Sequence, residues 1–388
     1  MPSDFFGKTR YSNHSGAALL LAIFATVILT VLAVGLINVV NVELMASRVS
    51  LDRLQASYLA KAGFNLARSV LMYKDDTPAL DGPEDVWFAL DQEEPLEIGE
   101  GWCKIAVIDA CSLININTAD EQILTTITGK PELAEAIIAW RKDHGLVRSL
   151  DELLQVEGVT KEMLSSWVKL ITTDSWERNV SINKEGQERK RSNINGDPAK
   201  LVRDLQLPER QAQRLTQIIA GYRGSGEEFP SVGVFLMIIK RYVDLNSMKQ
   251  IVDNISLNDK AYVSGRVNLN TASREVLLAL PGATKEFVDA LMERRQTTGG
   301  SLRSLGDLVD LPGMKDGASV SDNFFALVDV ACTKSSTFII EAYSGLEGKT
   351  VNRDILAIVR RQPGPIAPMI AGYRETVLPT YITVENIQ

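Results

Sequence analysis

Few side chains in this chain of 388 residues could do covalent chemistry. There are two histidines, His14 and His144, and neither has a catalytic partner nearby in sequence, so Ser–His–Asp or Cys–His chemistry is not expected. Three cysteines, Cys103, Cys111 and Cys332, are too few and too scattered for a zinc site. Cys103 and Cys111 flank an apolar, strand-like run, Lys104–Asp109. In an oxidising compartment they could be bonded to each other, and buried free thiols fit the sequence equally well. Asp310, Asp316 and Asp322 lie near one glycine turn, but without the Asp-x-Asp-x-Asp-Gly spacing of a calcium loop they read as a solvated acidic surface. No catalytic constellation is visible, and the chain reads as a protein that is not an enzyme.

The bond that invites processing is Gly16–Ala17. From Ala17 to Val42 the chain carries no charge, and a leader with Lys8, Arg10 and His14 precedes it. As a helix this run would span about 39 Å, enough to cross a hydrocarbon core of about 30 Å. The small residues Ser15-Gly16 stand before the apolar run, and no Ala-x-Ala site follows it near Asn38–Asn41, so an ordinary cleaved secretory signal does not fit. An uncleaved signal anchor accounts for the run. So does a leader cut after the glycine: Gly16 followed by Ala17-Ala18-Leu19-Leu20-Leu21 resembles a type IV prepilin-like leader. That resemblance implies cleavage at Gly16–Ala17 and N-methylation of Ala17. It also implies Glu as the fifth mature residue, where this chain has Leu21.

The elements that must carry these residues follow. Leu51, Leu54, Tyr58, Ala62, Leu66 and Val70 recur at spacings of three and four, which predicts an amphipathic helix with that stripe facing a soluble domain. No proline interrupts Ala17–Tyr73, and Asp75-Asp76-Thr77-Pro78 closes the run. One long helix is expected, half in lipid and half on a folded body, with Gly35 and Gly63 as sites of bending.

An internal repeat organises the middle of the chain. Asn115-Ile116-Asn117-Thr118-Ala119 recurs as Asn268-Leu269-Asn270-Thr271-Ala272. In register behind it, Gly129 matches Gly282 and Arg141 matches Arg294. After a two-residue insertion Arg148-Ser149-Leu150 matches Arg303-Ser304-Leu305, and Gly158 matches Gly313. A weaker middle copy starts at Asn193-Ile194-Asn195 and carries Gly221-Tyr222-Arg223 and Phe229-Pro230-Ser231. Gly129-Lys130-Pro131, Gly282-Ala283-Thr284, Gly158-Val159-Thr160 and Gly313-Met314-Lys315 are read as breaks between successive helices. The pattern resembles helix-hairpin-helix or SAM-like elements. DNA-binding versions use a Gly-hydrophobic-Gly hairpin to hold phosphate on backbone N–H groups, and the second glycine is missing here. The formal net charge of −8 also opposes nucleic acid as the main partner. Lys184, Arg189, Lys190 and Arg191 read as a solvated loop between copies.

Strand-like segments flank the repeats at Gly101–Ala110, Ser336–Tyr343, Val351–Arg361 and Ile366–Tyr373, with Tyr381–Val384 as a further edge strand. Gln362-Pro363-Gly364-Pro365 supplies a turn.

The leader, Leu21 and the Asn-x-Asn-Thr repeats inserted in a sheet together resemble the type II secretion minor pseudopilin K (GspK) family. Arg148–Leu154 and Ser335–Ala342 add to the likeness. The resemblance implies an α+β fold: a long N-terminal transmembrane helix packed on a pilin-like antiparallel sheet, with an inserted all-α domain of helix-hairpin-helix/SAM-like repeats. The expected divisions are a leader at 1–16, a transmembrane helix at 17–42 and the rest of the helix with the first strands at 43–111. The helical insert would occupy 112–334 and the last strands 335–388. It implies a subunit that caps and primes the pseudopilus tip, anchored once in a bacterial inner membrane with its bulk in the periplasm. The implied partners are I- and J-type minor pseudopilins, the major pseudopilin, prepilin peptidase and the inner-membrane secretion platform. Calcium in the helical domain is implied as well, with no ligands assigned. A membrane-anchored helix-hairpin-helix DNA-binding protein of the competence type and a minor pilin of a type IV pilus are the rival readings.

Overall fold

A computed structural model describes residues 14–73, 80–91, 93–182, 187–224, 226–297, 299–317 and 319–376. Lys8, Arg10, the Asp75–Pro78 helix stop, Lys184 and the Tyr381–Val384 strand lie outside the described residues.

Helix α1 runs unbroken from His14 to Met72. Thr26, Thr30 and Ser50 donate their hydroxyls to the carbonyls four residues back, at 2.7, 2.7 and 2.9 Å, so these polar groups need no partner outside the helix. From Gly16 to Gln55 no residue is buried. Beyond that point Ala56, Ala60, Phe64, Ala67 and Leu71 form the buried stripe, at helical spacing. The stripe expected from sequence is on the other side: Leu51, Leu54, Tyr58, Ala62 and Leu66 are exposed. The helix meets the sheet through its small residues because these allow close approach. Gly63 faces the Cys103 sulfur and Ile105, and a Cβ there would collide with them.

The sheet has five strands: β1 (Leu96–Ile98), β2 (Gly101–Asp109), β3 (Thr337–Leu346), β4 (Asn352–Arg360) and β5 (Met369–Thr376). They lie in the order β1-β2-β3-β4-β5, and every pairing is antiparallel. β2 buries Gly101, Cys103, Ile105, Val107 and Asp109 and leaves the alternate residues more open, the period of a strand with one covered face. Cys103, Ile105, Val107, Phe338, Ile340, Ile355 and Val359 close on the alanines and Phe64 of α1. At one end of the sheet Ser344 donates to the Ala56 carbonyl at 2.7 Å. At the other end, where β2 stops and β3 starts, Trp87 packs edge-on to Phe338 with ring centroids 5.1 Å apart. The exposed half of α1 leaves the body from the Ala56 end.

Everything between β2 and β3 forms a helical insert with its own continuous core, which includes Leu124, Ile137, Phe235, Ile251, Phe287 and Phe324. It contains three units, each closed by a two-residue parallel bridge: Ile114–Asn115 with Ile171–Thr172, Ser192–Asn193 with Ile255–Ser256, and Val267–Asn268 with Ala331–Cys332. In each unit the first asparagine turns the chain by accepting the N–H of the second, at 2.9, 2.8 and 3.0 Å. The second asparagine then clasps one backbone residue by both its N–H and its C=O. Asn117 holds Val147, Asn195 holds Phe229 and Asn270 holds Leu302.

The repeat register needs two corrections. Arg141 donates to the carbonyls of Ile116 and Ala119. The residue doing this in the third unit, toward Leu269 and Ala272, is Arg295 and not Arg294. One extra residue sits in the turn ahead of the second helix, whose cap position is held by Lys130 in unit one and Thr284 in unit three. After Gly313 the chain forms a short antiparallel hairpin, Lys315–Asp316 with Ser319–Val320, before the helix Asp322–Val330 starts. Gly158, in contrast, leads straight to the helix Lys161–Trp167 through the Thr160 cap.

Candidate functional site

Two regions can carry function: the free face of α1 and the neck where the insert joins the sheet. Gly16, Ala17 and Leu21 all lie on the exposed first turns of α1. A Cβ on Gly16 would meet nothing. α1 is long and apolar enough to cross a membrane, with a mean hydropathy of 2.9 over its most apolar window and none of that window buried. The apolar surface does not end with that window. Leu51, Leu54, Tyr58 and Leu66 extend it alongside the folded body, and they are 54, 53, 65 and 41 % exposed. Lys61 and Asp52 border it and are held by Glu375 at 3.5 Å and Lys349 at 3.3 Å.

The neck is polar and buried. Asp109, the last residue of β2, accepts from the Cys111 N–H at 2.7 Å, from Asn268 at 2.8 Å, and from the Thr271 and Ser335 hydroxyls at 2.6 Å each. Beside it Asp81 accepts from the Ser335 N–H and from Arg361, all at 2.8 Å. Burial pushes the Asp109 carboxyl up, against the pull of the Ser335, Thr271 and Asn268 hydrogen bonds. One layer further in, Glu177 binds Arg191 at 2.8 Å and Arg266 at 2.9 Å, so that the segments linking the three units share one ion cluster. Glu177 is fully enclosed. Burial opposes its charge, yet the two guanidiniums hold its carboxyl below the usual range. Lys334 lies against this cluster, and burial, reinforced by Arg191, brings its amine down to about 8.

Sequence reasoning missed this neck because its members are scattered from Asp81 to Arg361. The readable signal was a charged residue at the end of an apolar strand, Asp109. The basic run expected to be solvated is so in part: Arg189 pairs with Asp204 and Lys190 with Asp259 at the surface. Arg191 instead is buried against Glu177.

Cys103 and Cys111 do not meet. Cys103 lies near the start of β2 and Cys111 in the short turn Ala110–Ser112 after its end, and the six steps of extended strand from Cys103 to Asp109 alone span about 20 Å, against less than about 7 Å between Cα atoms for a disulfide. All three cysteines are free and buried. Asp310 is engaged by Lys249 at 2.8 Å and Lys315 at 3.3 Å, and Asp322 by Lys240 at 3.5 Å. Among the described residues no cluster of three or more His, Cys, Asp or Glu side chains could hold a metal ion.

Comparison with known proteins gives two family matches. Residues 109–172 match the helix-hairpin-helix motif. Residues 267–326 match type II secretion system protein K. The protein K match falls on the third unit, with the Asn270 clasp and Arg295, and the helix-hairpin-helix match covers the first. Among solved structures the chain is similar to the GspK-GspI-GspJ complex from the enterotoxigenic Escherichia coli type 2 secretion system, with 14 % identity over 85 % of this chain and 99 % of that one, and a TM-score of 0.42. No curated protein matches the chain.

Proposed function

We propose that this chain is a minor pseudopilin of the protein K type that occupies the tip of a type II secretion pseudopilus, a reading supported by the protein K match over residues 267–326. Prepilin peptidase cuts it at Gly16–Ala17 and methylates Ala17. α1 then anchors it once in the inner membrane, with the sheet and insert in the periplasm. There it joins I- and J-type minor pseudopilins above the major pseudopilin, primes assembly on the inner-membrane platform and supports protein export.

The observation that carries this reading is the length of the exposed apolar face of α1. From Ala17 to Leu66 it runs about 75 Å as a helix, far more than the roughly 30 Å that lipid can cover. The part beyond the bilayer needs other apolar helices against it, as packed subunits of a filament would supply. Leu21 in place of a fifth-position glutamate suits a subunit with no neighbour above it, since a carboxylate inside lipid needs a partner. The insert lies at the end of the sheet away from the anchor, where its bulk would stop another subunit from stacking. The DNA-binding reading lacks support at the hairpins, where Lys130 occupies the cap position and the Thr160 and Thr284 hydroxyls cap the following helices in place of a second glycine.

Mass spectrometry of the N-terminus after co-expression with a prepilin peptidase tests this. An N-methylated Ala17 is expected. An intact Met1, or a cut beyond Asn38, would overturn the pseudopilin reading.

A further inference from the structure

Cys111 and Cys332 are brought together at the neck, although nearly the whole insert separates them in sequence. Cys111 lies two residues beyond the end of β2, and its N–H is held by Asp109. Cys332 ends the last strand of the insert, in register with Asn268. Asn268 donates to that same Asp109 carboxylate. Residues paired in a parallel bridge present their side chains to the same face, so Cys332 lies on the side where Asn268 meets Asp109, the residue that also holds the Cys111 N–H. Each cysteine also has a carbonyl next to it, Trp176 for Cys111 at 3.4 Å and Lys334 for Cys332 at 3.2 Å.

We propose that Cys111 and Cys332 form a structural disulfide when the chain folds in oxidising surroundings, locking both strands of the neck to each other. Two thiols lose two protons and two electrons as the S–S bond forms. A small-molecule or protein disulfide accepts them and leaves as two thiols. In the folded chain both thiols are poor nucleophiles. The neighbouring Cys332 side chain lowers the Cys111 thiol, but burial and the nearby Asp109 and Glu177 charges leave it raised. Burial raises Cys332 further. Exchange therefore occurs before the insert closes over them. Cys103 is a built-in control. It lies under α1 at the far end of β2, its thiol pushed up to about 11 by burial, and has no cysteine near it.

The inference rests on the periplasmic reading only for the natural oxidant, so the test supplies its own. The full chain is synthesised cell-free into detergent micelles in a reduced and oxidised glutathione buffer. It is then denatured in excess alkylating reagent, digested and mapped by mass spectrometry. One Cys111–Cys332 linked peptide pair with an alkylated Cys103 is expected. Three alkylated cysteines, or any linkage that includes Cys103, overturns the proposal. In Cys332→Ser, Cys111 should be alkylated. Reductant should lower the thermal unfolding midpoint of the parent chain and leave that of Cys332→Ser in place; equal shifts would overturn the structural role. None of these outcomes depends on where the chain resides in a cell, which the N-terminal mass addresses separately.

Discussion

Asn268 donates its side-chain amide to the Asp109 carboxylate across 2.8 Å, and the same nitrogen reaches the Asp81 carbonyl at 3.0 Å and the Ser335 hydroxyl at 3.1 Å. One side chain thereby joins the sheet, the segment behind α1 and both ends of the insert. The corresponding amide nitrogen of the first unit, that of Asn115, donates to Ser175, and that of the second, Asn193, donates to Asp259 at the surface.

Asn268→Ala should therefore cost far more than Asn193→Ala. Removing a buried donor leaves acceptors unsatisfied at about 1–3 kcal/mol for each group, so a loss of roughly 2–4 kcal/mol is expected for Asn268→Ala, and less than about 1 kcal/mol for Asn193→Ala. Chemical denaturation of the two variants measures the difference. Equal losses would show that the neck does not depend on this amide.

Glu177→Gln should deprive the buried Arg191 and Arg266 of the carboxylate they share, and breaking a buried pair in this way costs about 3–5 kcal/mol. The carboxyl is held below its unfolded value of about 4.3. Its contribution is thus fully present above that pH and is lost as the pH falls below it. Unfolding measured at pH 6 and pH 3 should show a larger difference between parent and variant at pH 6.

Lys334 works in the opposite direction. Its amine falls to about 8 in the folded chain, against about 10.4 unfolded. The penalty for burying the charged form is complete below about pH 8 and is relieved as the pH rises toward 10.4. Through this group the parent chain should gain about 2–3 kcal/mol between pH 7 and pH 10. Lys334→Met should flatten that slope and raise the midpoint at pH 7. Thermal unfolding across this range, with both proteins in the same detergent, decides it.

Leu54→Glu tests the free face of α1. The side chain is exposed and outside the buried stripe, so the unfolding midpoint should move by no more than a surface change does, about 0.5 kcal/mol. Recovery of the chain with co-expressed pseudopilins should fall sharply. Unchanged recovery would separate this face from assembly.

The long helix, the strands from Gly101 to Tyr373 and the Asn-x-Asn repeats were legible because each rests on a short-range pattern: hydrophobic period, turn residues, a repeated motif. The orientation of α1 was not. The leucine and tyrosine stripe at Leu51, Leu54, Tyr58 and Leu66 carries more apolar signal than Ala56, Ala60 and Ala67, yet the alanines face the sheet because a flat partner accepts a helix most closely where side chains are short. The sequence pattern marked a real apolar face and named the wrong partner for it. The offset between Arg294 and Arg295 was hidden by adjacent arginines, which alignment alone cannot tell apart. The neck was unreadable because Asp81, Asp109, Asn268, Ser335 and Arg361 meet only through the fold.

β2 and β3 are neighbours in the sheet, and Asp109 stands opposite Phe338. The entire three-unit insert therefore occupies the position of a hairpin loop. A loop that leaves and returns between paired residues places little geometric demand on its stem, and the entropic cost of lengthening it grows only with the logarithm of its length. The stem can therefore keep its pairing while the number of units in the loop changes, which makes the reach of the insert beyond the sheet an adjustable dimension in this architecture, separate from the length of α1.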